Sequence, residues 1–369
     1  MFKTAIVRLV AGLLLATGLA ATSLQAQTVA TVAAPQPQLL RIRMATFSAA
    51  DLDAVERDYG RWLGYKVRER GVVSPELAGS WGAPRATGRA YLLMSSDAAP
   101  DVYIRAVQAS PAALALPYRP LTTYGWNGIE LIVDDPDGLH AKLKDSPFRV
   151  IGEPAPLGAY PSIRAFQVVG PSGEVLYLTA ETGDRSRSLL PLPNGEVGRI
   201  FIMVVAGPDI EALLDFYTTP FGLTRNKPRS VPVGVLIRAQ SLAPGTGLPL
   251  TTTRLAQHGN LIEFDGYSAN AGPRPLPEGD LPLGIVSTSF AVRKLDALKL
   301  DWLAAPQRLP GLAYGGGDLD ISVFVPGENA LASCVRITVE DHGPGVAPDE
   351  RELIFERFAR GASAGRRSG

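Results

Sequence analysis

The stretch "DLDAVERDYGRWLGYKV", residues 51–67, decides the fold. Leu52, Val55, Tyr59, Trp62 and Leu63 recur at helical spacing and give one apolar face. A β-rich run, "LLRIRMATF" (39–47), precedes it, and "RAYLLMSS" (89–96) and "DVYIRAVQA" (101–109) follow. The order is a strand, a helix, then short strands. It occurs four times.

The other first strands are "WNGIELIVDD" (126–135), "RIFIMVVAG" (199–207) and "GIVSTSFAV" (284–292). Helical segments follow at 136–145, 208–222 and 293–304. Later strands are expected at 162–170 with 174–180, at "VGVLIRA" (233–239) with 260–267, and at 320–326 with "ALASC" (330–334). The turns "GPSGE" (170–174), "HGN" (258–260) and "PGEN" (326–329) place glycine where tight hairpins need positive φ. The fold class is therefore α+β, four βαβββ modules with a short extra C-terminal tail.

The whole chain of 369 residues suffices for one large domain or two ordinary ones. Lys+Arg and Asp+Glu balance at 36 each, so no global field recruits nucleic acid or an anionic membrane. The 38 glycines and 31 prolines suit many short strands. A basic start (Lys3, Arg8), an apolar run over 9–21 and small residues ending at Ala26 read as a signal peptide, 1–26. The run is shorter than the roughly 20 residues of a membrane span. Residues 27–38 read as a flexible leader. The expected location is periplasmic or secreted, with no stable membrane anchor after cleavage. Cys334 is a single cysteine and makes no internal disulfide.

Residues 39–334 resemble the vicinal-oxygen-chelate superfamily, which includes glyoxalase I, extradiol dioxygenases and bleomycin-resistance proteins. The resemblance rests on "DLDAVERDYGRWLGYKV" (51–67), "DFYTTPFGL" (215–223) and "HGNLIEF" (258–264). It implies modules paired two by two, each pair curling around one cavity. We expect one domain over 39–183 (modules one and two) and another over 198–334 (modules three and four). It also implies a His on the first strand of a metal-using module and a Glu on its last. The first-strand positions here are Met44, Gly128, Ile202 or Met203, and Ser287. The last-strand positions are Ile104 or Arg105, Tyr177, Glu263 and Ala332, so only Glu263 keeps the carboxylate. One carboxylate does not hold a catalytic metal, and neither metal nor ATP is expected as a cofactor.

What remains is a cavity for a small organic molecule. Strand alternation groups Trp126 with Gly128 and Glu130, facing Tyr177 and Thr179, and lets Glu263 meet Ser287 and Ser289. Trp126 and Tyr177 suit stacking on a planar ligand, or else fill the core. Met44 belongs to the first cavity. His258 is either a base paired with Glu263 or the cap of a hairpin turn. His140, on its helix, is expected at the solvated surface.

Residues 335–369 are set apart. "VRITVEDHGPGVAPDERELIFERFARG" (335–361) resembles the glycine and phenylalanine boxes of sensor histidine kinases, with Asp341 at the adenine-binding position, Gly343 and Gly345 as its glycines, and Phe355 and Phe358 as its lid. The phospho-accepting helix and the second glycine box are missing, so the fragment is expected to be non-functional. Three functions are in play: an exported small-molecule binder, a glyoxalase-like lyase or isomerase or dioxygenase-related enzyme using Glu263, and a kinase ATPase judged from the tail alone.

Overall fold

A computed structural model of the chain describes residues 36–293, 298 and 300, together with the backbone of three later strands, Gln307–Arg308, Leu319–Phe324 and Arg336–Asp341. The segment 1–35, the helix expected at 293–304 and "ALASC" (330–334) lie wholly or mostly outside the described residues. Among the described residues no helix is long and apolar enough to cross a membrane.

Module one comprises β1 (Leu39–Ala49), α1 (Leu52–Leu63), β2 (Tyr65–Val72), α2 (Pro75–Ser80), β3 (Ala90–Ser96) and β4 (Tyr103–Gln108). A one-turn helix α3 (Pro111–Leu114) leads to module two: β5 (Gly125–Val133), α4 (Pro136–Leu143), β6 (Arg149–Leu157), β7 (Tyr160–Val169) and β8 (Val175–Glu181). Module three comprises β9 (Val197–Gly207), α5 (Ile210–Thr218), β10 (Arg229–Val231), α6 (Gly234–Ala239), β11 (Leu248–Arg254) and β12 (Leu261–Gly266). Module four supplies β13 (Gly284–Val292), β14 (Gln307–Arg308), β15 (Leu319–Phe324) and β16 (Arg336–Asp341).

The three described module helices start alike. Asp51, Asp135 and Asp209 sit in extended backbone and accept hydrogen bonds from first-turn amides, offsetting donors the helix leaves unpaired. Gly64 ends α1 in the left-handed region, at φ 71°, where a side chain would be strained. The expected hairpin glycines Gly173 and Gly259 also have positive φ, 86° and 66°. Helix α1 buries Val55, Tyr59 and Leu63 on one side, as its apolar spacing requires.

The modules pair differently from the sequential expectation. One sheet runs β14-β15-β16-β13-β1-β4-β3-β2 and the other β10-β11-β12-β9-β5-β8-β7-β6. Module one therefore joins module four, and module two joins module three. The seams are antiparallel, β1 on β13 and β5 on β9. All four first strands carry the same apolar character, so local patterning does not choose among partners. The links between successive modules, 109–124, 182–196 and 267–283, are of similar length and do not choose either.

Two further expectations need correction. Residues 233–239 form α6 rather than a strand, with Ile237 N–H donating to Val233 O at 3.0 Å and Gln240 N–H to Leu236 O at 2.9 Å. A short apolar run has no period that separates helix from strand. The last described strand of module four is β16, C-terminal to "ALASC", which lies outside the described residues, and it lies between β13 and β15. The boundary drawn at 334/335 therefore cuts into a sheet: "RITVED" alternates apolar and polar residues and pairs in parallel with β13, Thr288 opposite Ile337 and Val292 opposite Asp341.

A shared core lies on one face of both sheets. It holds Phe47, Tyr59, Trp126, Leu131, Met203, Tyr217, Phe264 and Phe290, all essentially inaccessible. Burying each large apolar side chain stabilises the fold by roughly 1.5–3 kcal/mol. The opposite, concave face of each sheet has its own smaller cluster. Those two bowls are where a site can form.

Candidate functional site

The bowl of modules two and three is built from alternate residues of four neighbouring strands. Strand β12 contributes Leu261, Glu263 and Asp265, followed by Tyr267; β9 contributes Ile202, Val204 and Ala206. Strand β5 contributes Gly128, Glu130 and Ile132, and β8 contributes Val175, Tyr177 and Thr179. Helix α6 packs Val235 and Leu236 into the same cluster.

Three acids thus share a largely apolar floor. Glu130 and Asp265 are buried, while Glu263 keeps partial exposure. The Thr179 hydroxyl donates to Glu130 Oε2 at 3.3 Å. Burial pushes the Glu263 carboxyl up to about 7, because an ionised carboxylate is poorly solvated there. Glu130 is held well above the usual carboxylate range by burial and then by the Glu263 charge, against the Thr179 bond. Asp265 is raised likewise, by burial and then by Glu263 and Glu130. Asp265 Oδ1 and the Tyr267 hydroxyl are buried with no hydrogen-bond partner.

The glycine at 128 is required by close packing. A Cβ there would lie 2.8 Å from the Tyr177 ring and 2.9 Å from Val204 Cγ2. The ring of Tyr177 therefore lies where a first-strand metal ligand would project. With Gly128, Tyr177, Ile202 and Glu263 at the four positions the resemblance points to, the donor set does not fit a metal. Among the described residues no three His, Cys, Asp or Glu side chains converge to hold one.

The structure separates the other expected residues. Met44 and Ser287 lie in the bowl of modules one and four, with Leu77, Trp81 and Tyr103. There the Arg105 guanidinium stacks 4.7 Å from the Trp81 ring, and its Nε donates to Thr46 at 3.2 Å. Ser287 and Ser289 belong to that sheet, so Glu263 does not meet them. Trp126 is turned out of both bowls. A register shift between Trp126 and Gly128 reverses the alternation, and Trp126 packs instead on Tyr217 (5.7 Å) and Phe290 (6.2 Å) in the shared core.

The His258 ring ties its hairpin to the link between β8 and β9. The ring Nε2 lies 3.1 Å from Ser188 O, and the His258 carbonyl accepts from Arg199. His140 is buried rather than solvated, edge-on to Phe166 with Nε2 3.0 Å from Glu153. A surface groove of about 540 Å³ between Asp134, Leu139, Arg185 and Leu192 contains none of the expected site residues.

Sequence reasoning missed Asp265 and Tyr267, although they continue the alternation of Glu263. It also missed Glu174, fully buried in the β7–β8 hairpin. Tyr59 donates to its Oε1 at 2.8 Å and the Ser172 amide to its Oε2 at 2.9 Å, yet burial still raises it to about 7.

No protein-family model matches the chain. Among solved structures, glyoxalase I from Zea mays superposes with a TM-score of 0.52 at 14% identity, covering 82% of this chain and 92% of that one. The chain has the glyoxalase I fold. A putative dioxygenase from Bacillus subtilis subsp. subtilis str. 168 superposes similarly, with a TM-score of 0.53, 12% identity, and coverage of 87% and 91%. Separately, 32 residues are 59% identical to the signal transduction histidine-protein kinase/phosphatase MprB of Mycolicibacterium paratuberculosis (strain ATCC BAA-968 / K-10). That match spans 9% of this chain and only 6% of the kinase.

Proposed function

We propose that this glyoxalase-like protein is exported and binds a small organic molecule, without a metal, in the bowl of modules two and three. One observation carries the reading: Glu263 is the partly exposed acid on an otherwise buried acidic and aromatic floor. Convergent polar groups in an apolar hollow are the usual form of a small-molecule site. Export rests on the basic and apolar start of the chain.

A second reading is favoured by the same carboxyl. A group titrating near 7 is poised to accept a proton from a bound substrate at neutral pH, as a lyase or isomerase base does. The ATPase reading has less support. Asp341 ends a sheet strand opposite Val292, and the match to the kinase covers a small fraction of that protein.

The test is retention of a ligand. Purified protein incubated with a metabolite mixture is desalted and examined by mass spectrometry, alongside Glu263→Gln and Ser287→Ala. A molecule held by the unsubstituted protein and by Ser287→Ala, but lost from Glu263→Gln, is the expected result. Retention by Glu263→Gln with loss from Ser287→Ala would move the site to the other bowl.

A further inference from the structure

The turn between β7 and β8 carries a carboxyl into the protein. Pro171, Ser172 and Gly173 are half-buried, but the Glu174 side chain beneath them is wholly buried. It lies against Gly170, where any Cβ would overlap it, and Gly173 takes its place with a positive φ of 86°. The two glycines let the turn fold back over its own acid.

The seat of that carboxyl is in another module. Tyr59 of α1 donates its hydroxyl to Oε1 at 2.8 Å, and the Ser172 amide donates to Oε2 at 2.9 Å. On the other side, a Cβ on Gly173 would come within 3.2 Å of the Tyr118 ring, from the link 109–124. The titratable and charged groups around the seat are few. Tyr65 of β2 stands edge-on behind Tyr59, with ring centroids 5.8 Å apart. Arg274, from the link 267–283, lies 5.6 Å from the Tyr118 ring and donates to Thr123 Oγ1 at 3.1 Å and to Trp126 O at 2.7 Å. Among the described residues no cation pairs with Glu174. A carboxylate enclosed without a counter-charge is costly, and either protonation or exposure to water removes that cost.

Only the turn need move for exposure. Its internal backbone bonds are Gly170 N–H to Glu174 O at 2.7 Å and Gly173 N–H to Gly170 O at 3.0 Å. Short surface segments with few such bonds open at lower free energy than the centre of a sheet.

We propose that the 170–174 turn is a pH-sensitive latch between modules one and two, shut on Tyr59 when Glu174 is protonated and released to water when it is ionised. It works independently of what the bowl binds. The size of the effect follows from burial. The shut turn holds the carboxyl at about 7, against about 4.3 in water. Its proton therefore favours the shut state fully below about 4.3, and that advantage is lost as pH passes 7. Between pH 6 and 8 the frequency of opening rises about tenfold.

Amide hydrogen exchange on the full chain at pH 6 and 8, corrected for the intrinsic pH dependence of exchange, compares the turn with the seam strands β5 and β9. The turn is expected to open about tenfold more often at pH 8, while β5 and β9 exchange much more slowly at both values. In Glu174→Gln the rise should be absent. Tyr59→Phe keeps the acid but removes a donor to its ionised form, and should steepen the rise beyond about tenfold. Equal opening at the two pH values, or a rise that survives Glu174→Gln, would overturn the latch. A rise unchanged by Tyr59→Phe would overturn α1 as its seat. Turn and seam exchanging at one rate would also overturn it, because the opening would then be unfolding of the whole chain.

Discussion

A chain ending after Ser333 is expected to melt at least about 10 °C below the full chain, or to lose cooperative unfolding. Strand β16 is not an appendage. Five of its positions register with β13, from Ile337 opposite Thr288 to Asp341 opposite Val292, and five with β15, from Arg336 opposite Phe324 to Glu340 opposite Asp320. Removing it detaches β14 and β15 from the sheet and leaves β13, paired with β1 on its other side, as an open edge. Net hydrogen bonds of about 1 kcal/mol each sum to roughly 5 kcal/mol over such a strand. At about 2–4 °C per kcal/mol for a chain of this size, the drop exceeds 10 °C. A chain ending after Gly343 keeps β16 and should melt within a few degrees of full length. Equal melting of the two truncated chains would show that residues 336–341 do not complete the sheet.

Thermal stability is expected to fall, not rise, as pH increases from about 5 to 8. Glu174 titrates at about 7 in the fold, mainly through burial, against about 4.3 in an unfolded chain. Between those values the folded state binds a proton that the unfolded state has released. Its stabilisation is complete below about 4.3 and disappears as pH passes 7, a change of about 3–4 kcal/mol. Glu263, Glu130 and Asp265 are raised too and act in the same direction. Surface carboxylates act oppositely but in another window. Asp97, lowered by its bonds from Lys66 and Arg68, and Asp137, lowered by Arg164, lose their contribution only below about pH 4. The melting temperature should peak in mild acid and drop by about 10 °C towards pH 8. Glu174→Gln should flatten that decline. A profile that rises from pH 5 to 8 would show these acids in contact with water.

Much of this architecture is legible in the chain because its signals are local. The helix of 52–63 follows from apolar spacing and a left-handed Gly64, and the hairpins from Gly173 and Gly259. Non-local choices are not legible. Which first strand pairs with which depends on packing in the shared core, and "VGVLIRA" has no period that marks it as α6. A single register shift beside Asn127 takes Trp126 out of the site that simple alternation assigns it. Glu130 and Tyr177 do share a bowl, but they share it with Glu263, which sequential pairing assigns to the other cavity; Asp265 could have been read from the same i, i+2 pattern. Glu174 could not: its burial is set by Tyr59, 115 positions earlier in another module.

The most direct measurement of the proposed site is a carbon-13 NMR titration of the glutamate side-chain carboxyls, with Glu263 assigned by the resonance missing in Glu263→Gln. A midpoint near 7 is expected, displaced when a ligand fills the bowl. A midpoint near the ordinary value of about 4.3 would mean that Glu263 faces water. The acidic floor would then not be the binding site.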